Sequence, residues 1–123
     1  MTEGKFATSV SCMDGRIQLP LANWIKENYS IDFVDAITEP GVDKTVAENS
    51  DLESIKFKVG ISINAHKSEL IVISGHSDCA GNPVSDDEHI SQIKKGVEVI
   101  SSWNTGAKVI GVWVDNSWNV NVI

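Results

Sequence analysis

Apolar residues change period several times along this chain, and each change marks a structural element. Phe6 to Ser11 is short, β-branched and small, and reads as a buried first strand ending at Cys12. Leu21, Trp24, Ile25 and Tyr29 then recur at helical spacing, and Pro20 suits the first turn of that helix. Phe33 to Ile37 reads as a second strand, closed by the turn signal Thr38-Glu39-Pro40-Gly41. Ser50 and Glu53 match a capping box, from which Leu52, Ile55, Val59 and Ile63 continue one helical face. Leu70-Ile71-Val72-Ile73 is apolar on both faces, as a central parallel strand should be, and runs into Gly75-His76.

A second capping box, Ser85 with Glu88, opens the next helix. Ile90, Ile93, Val97 and Ile100 supply its buried stripe, and Gly106 is its C-terminal stop. Val109 to Val114 forms a fourth strand and Asp115-Asn116-Ser117 turns the chain. Trp118 to Val122 alternates as a fifth strand at the sheet edge. With no repeat, linker or low-complexity segment, residues 1–123 are expected to form one domain.

Alternation of strands and helices predicts an α/β fold around a mostly parallel sheet in the order 2-1-3-4-5. An antiparallel hairpin strand lies at its edge, with helices on both faces. Ligands of such sheets gather at the carboxyl ends of strands, where the strand order reverses. In this order the first and third strands are neighbours. Cys12-Met13-Asp14-Gly15-Arg16 and His76-Ser77-Asp78-Cys79 sit at those very ends.

Size and charge narrow the function. At 41% hydrophobic and 22% charged, 123 residues suffice for a core without staples. A net charge of −7 argues against nucleic acid and against anionic membrane surfaces. Leu70 to Ile73 is the longest apolar run and is far too short to span a bilayer. Met1-Thr2-Glu3-Gly4-Lys5 lacks the basic start and long apolar segment of a secretory signal. The expectation is a cytoplasmic protein, where two cysteines serve as metal ligands or reactive thiols rather than as a structural disulfide.

Two thiolates and an imidazole, from Cys12, Cys79 and His76, form a strong donor set for Zn²⁺ and leave a fourth position for water. Their formal charge cancels that of the metal. Bound water is then less acidic than the pKa of about 7 typical of a three-histidine zinc site, and outer hydrogen bonds must compensate. Asp14 suits that role, as a hydrogen-bond acceptor beside the metal or as a fourth ligand in a closed state. Arg16 can hold it by a two-pronged pair.

Cys-x-Asp-x-Arg at Cys12, Asp14 and Arg16, followed by His-x-x-Cys at His76 and Cys79, resembles the zinc site of the β-class carbonic anhydrases. The resemblance covers most of the chain. It implies Cys12, His76 and Cys79 as zinc ligands and Asp14 with Arg16 as the catalytic dyad. It further implies interconversion of CO₂ and bicarbonate through zinc-bound hydroxide, in a homodimer or higher homo-oligomer. The chain departs from the family where an Arg-Asn-Ala-Gly-like stretch commonly follows the second strand. Thr38-Glu39-Pro40-Gly41 stands there and keeps only the glycine. The chain is also short for the family, without its usual N-terminal helical arm.

Other readings stay open on sequence alone. The cysteines could be small buried hydrophobes or a redox pair, and Asp14 with Arg16 a structural ion pair. The same metal site could act on carbonyl sulfide or carbon disulfide, or bind zinc without turnover. Asp78 and Glu39 read as solvated carboxylates, His66 as a surface residue and His89 as an exposed helix histidine able at most to shuttle protons. The four tryptophans read as core and interface.

Overall fold

The computed structural model describes residues 3–123. Met1 and Thr2, part of the opening segment read as lacking a secretory signal, lie outside them. Along the chain run β1 (Phe6–Ser11), α1 (Gly15–Tyr29), β2 (Phe33–Thr38), α2 (Val42–Glu48), α3 (Glu53–Asn64), β3 (Leu70–His76), α4 (Asp86–Ser101), β4 (Lys108–Val114) and β5 (Val120–Val122). The sheet order is β2-β1-β3-β4-β5, as expected, parallel throughout except for the antiparallel β4–β5 pair.

Strand alternation divides the core in two. Ala7, Leu70, Val72, Ile110, Val112 and Val114 face α1, whose Ile17, Leu21 and Ile25 cover them. On the other face Val10, Ile37, Ile71, Ile73 and Trp113 meet Val42 and Val46 of α2, Ile55 and Val59 of α3, and Ile93 and Ile100 of α4. β3 is buried along its whole length because helices cover both of its faces. Each fully buried isoleucine contributes about 1.5–3 kcal/mol relative to exposure.

Four expectations are corrected. Helix α1 begins at Gly15, so Pro20 lies inside it rather than in its first turn. The Asp14 carboxylate accepts from the Arg16 N–H and caps the helix earlier, at the cost of one backbone bond at Pro20. Ser50 and Glu53 form no capping box; α3 starts after Leu52 without a side-chain cap, and Asn49 and Asp51 turn the chain at φ 53° and 56°. Ser85 does cap α4, accepting from the Glu88 N–H at 3.2 Å, but that helix stops at Ser101, well before Gly106. The final strand is shorter than its alternation suggests, because Trp118 turns at φ 64°.

Helix α2 has no counterpart in the apolar pattern. Its 7 residues are too few to display a stripe. Among the described residues, no helix is long and apolar enough to cross a membrane.

Candidate metal centre

Strands β1 and β3 run parallel and in contact, with Val10 opposite Ile73, so their carboxyl ends emerge side by side. Cys12 follows the last residue of β1, and His76 is the last residue of β3. The Ser77 N–H donates to Val114 O, and Asp78 at φ 57° turns the chain so that Cys79 returns toward the sheet. The ligand atoms of Cys12, His76 and Cys79 thereby lie within 4.8 Å of one another, all on buried residues. The two sulfurs are 3.8 Å apart and both thiols are free. A disulfide needs about 2.05 Å between sulfurs.

The chemistry of these donors fits a divalent cation. Ser77 O stands 2.8 Å from His76 Nδ1; a carbonyl only accepts, so Nδ1 carries the proton and Nε2 offers a lone pair. That Nε2 is buried and has no hydrogen-bond partner among the described residues. Burial first, and then the adjacent Cys12 sulfur, push the Cys79 thiol up to about 11, against the backbone N–H groups of Gly81 and Asn82. Two crowded sulfurs resist ionising together, and a cation among them removes the conflict. Zinc, which favours sulfur and nitrogen donors, suits the set.

Asp14 lies beside this cluster but outside it, with Oδ2 4.0 Å from His76 Nε2. Arg16 grips it through three donors: its backbone N–H donates to Oδ1 at 2.9 Å, its Nε–H to Oδ1 and Oδ2 at 3.0 and 3.2 Å, and its Nη2–H to Oδ2 at 2.7 Å. The side-chain fork, followed by the backbone bond, lowers the Asp14 carboxyl to about 2. Arg16 also binds Asp78, through Oδ2 at 3.2 Å and the backbone O at 3.0 Å, and its guanidinium lies 5.1 Å from the Trp118 ring centre. Asp78 is thus exposed but paired, and Trp118 borders the site rather than serving the core alone.

Gly41, in the loop after β2, packs tightly against the loop after Cys79. It sits at φ 58°, and a Cβ there would meet Gly81 O at 2.7 Å. Its N–H points at Cys12 Sγ, 3.5 Å away.

His89 is not the exposed helix residue expected. It is 1% exposed, with Nδ1 2.6 Å from Asp43 Oδ2, because the unanticipated helix α2 covers it. His66 is half-buried rather than a free surface residue, stacked on Phe6 and 2.7 Å from Asp35 Oδ2. Glu39 is half-buried and donates its N–H to Ser11 O, tying the loop to β1. Asp43 and Asn82, both buried, escaped notice in the sequence: one sits on a helix too short to show a face, the other in a loop. A cavity of about 290 Å³, lined by Lys5, Phe6, Tyr29, His66 and Lys108, opens at the amino ends of the strands, away from the cysteines.

Residues 2–123 match a family model described as "Putative carbonic anhydrase". No curated protein matches the chain. Among solved structures, a β-carbonic anhydrase from Trichomonas vaginalis superposes with a TM-score of 0.65 at 17% identity, covering 100% of this chain and 87% of that one. Carbonic anhydrase from Streptococcus mutans gives 0.68 at 12% identity, covering 94% and 80%. Tetrameric β-carbonic anhydrases from Sordaria macrospora give 0.65 at 14% identity, covering 99% and 82%. At these identities the likeness is one of fold.

Proposed function

This chain belongs to the β-class carbonic anhydrase family, and from that premise we propose that it holds one Zn²⁺ and interconverts CO₂ and bicarbonate. Cys12, His76 and Cys79 are the proposed ligands. The observation that carries the reading is the buried, unpartnered His76 Nε2 beside two free sulfurs 3.8 Å apart. When bound, the metal supplies Lewis acidity toward a water and an acyl-type electrophile.

The chain's own residues supply orientation. Asp14 stays ionised and presents a carboxylate oxygen 4.0 Å from His76 Nε2, placed to accept a hydrogen bond or proton from the reacting water. Arg16 fixes that carboxylate by its fork and, through Asp78, ties the loop of the second motif to α1. Release of Asp14 from Arg16 would let it reach the metal and close the site. We assign the whole of residues 1–123 to one zinc-binding domain acting in the cytoplasm as a homodimer or larger homo-oligomer. The β-carbonic anhydrases of Sordaria macrospora, which share this fold, are tetrameric, which supports the last point.

Metal analysis of protein purified without added zinc, paired with stopped-flow CO₂ hydration, tests the proposal. One zinc per chain with hydration above background is expected, lost in Cys12→Ser. Bound zinc with no hydration at alkaline pH points instead to a zinc protein without turnover, and faster consumption of carbonyl sulfide or carbon disulfide to a different substrate. Absence of zinc rules out both the ligand set and the reaction.

A further inference from the structure

Polar residues that the proposed reaction does not use converge on one buried carboxylate. Asp43, in the first turn of α2, is 2% exposed. Its contacts reach the chain segments next to Cys79 and His76, and its own segment reaches Cys12. Oδ1 accepts from Asn82 Nδ2 at 3.1 Å, three residues past Cys79. Oδ2 lies against Gly75, the residue before His76, where a Cβ would stand 2.5 Å from it. Two residues before Asp43, the Gly41 N–H points at Cys12 Sγ from 3.5 Å.

Two further residues lock this hub. A carboxylate only accepts, so His89 donates Nδ1–H to Asp43 Oδ2 across 2.6 Å. Asn82 gives its other amide hydrogen to Gln92 Oε1 at 2.7 Å, which pins the loop after Cys79 to α4 as well as to α2. Apolar side chains would fill such a space with no desolvation cost, and removal of one partner from a buried polar set is expensive. A role beyond packing accounts for the arrangement better than stability does.

We infer that Asp43, locked by His89 and Asn82, is the positioning residue of the metal centre. It holds the three ligand-bearing segments in register and aims the Gly41 N–H at the Cys12 thiolate. The inference rests on the zinc reading above. Donation from the Gly41 N–H draws charge off the Cys12 sulfur, which strengthens the Lewis acidity that two thiolates otherwise weaken.

The test compares intact wild-type protein with Asp43→Asn, Asn82→Ala, His89→Gln and Ile93→Val. Zinc affinity is read by chelator competition, and the thiolate-to-cobalt charge-transfer band after Co²⁺ substitution. Asp43→Asn and Asn82→Ala should weaken zinc binding about 10- to 100-fold and shift the band. His89→Gln, whose amide can still donate to Asp43, should retain most of the affinity. Ile93→Val thins the same core without touching a polar atom, and should lower Tm while leaving both readouts unchanged. Asn82→Ala keeps the Asp43–His89 pair and carries the test if Asp43→Asn fails to fold. Wild-type affinity and band in Asn82→Ala overturn the positioning role, as does affinity that merely tracks Tm across the variants. A wild type without the thiolate-to-cobalt band overturns the zinc reading itself, and this inference with it.

Discussion

Gly41 and Gly81 touch backbone to backbone: a Cβ on Gly81 would stand 2.9 Å from Gly41 N, and one on Gly41 2.7 Å from Gly81 O. The contact joins the loop after β2 to the loop after Cys79, one behind each sulfur. Gly41→Ala adds left-handed strain to that overlap and should cost about 1–3 kcal/mol in denaturant unfolding. Zinc affinity should fall with it. An unchanged midpoint would show that the loops part without penalty.

Asp14→Asn should keep zinc bound and slow CO₂ hydration by about 100-fold or more, because the amide cannot take a proton at that position. Arg16→Lys keeps the charge but loses the fork, so a smaller loss is expected. Equal rates in wild type and Asp14→Asn, at equal zinc content, would remove the pair from the mechanism.

The same carboxylate predicts a pH signature in stability. Its folded-state pKa, about 2, lies below the ordinary 3.8, so its contribution is complete above 3.8 and disappears as pH falls through 2. Arg16 is exposed to solvent, so screening keeps the effect small. The stability gap between wild type and Asp14→Asn should therefore be flat above about pH 5 and close in acid. A gap that widens on acidification contradicts the pairing.

Zinc affinity should climb with pH. The Cys79 thiol is pushed up to about 11 in the metal-free chain, so it carries a proton at neutral pH that zinc must displace. Each displaced proton contributes about a tenfold gain in affinity per pH unit. Chelator competition between pH 6 and 8 should give a slope of at least about one log unit per pH unit. A flat dependence would exclude thiolate ligation.

The strand order and the meeting of Cys12, His76 and Cys79 were legible because their signals are local. β3 shows an unbroken apolar run, and both motifs stand where strand becomes loop, so parallel pairing of β1 with β3 brings them together. Asp43, Asn82 and His89 were not legible, since their meaning depends on α2 lying across α4. Periodicity reports burial of apolar residues, and a buried carboxylate on a short helix gives it nothing to detect. Pro20 misled for a related reason: a strong cap at Asp14 outweighs the proline's usual place in the first turn.

X-ray absorption at the zinc edge, on protein purified without added metal, reads the ligand set of Cys12, His76 and Cys79 itself. Two sulfur scatterers at about 2.3 Å and nitrogen at about 2.0–2.1 Å are expected, with one zinc per chain. A shell of nitrogen and oxygen alone, or metal-free protein with Cys12 and Cys79 joined as cystine, would contradict it.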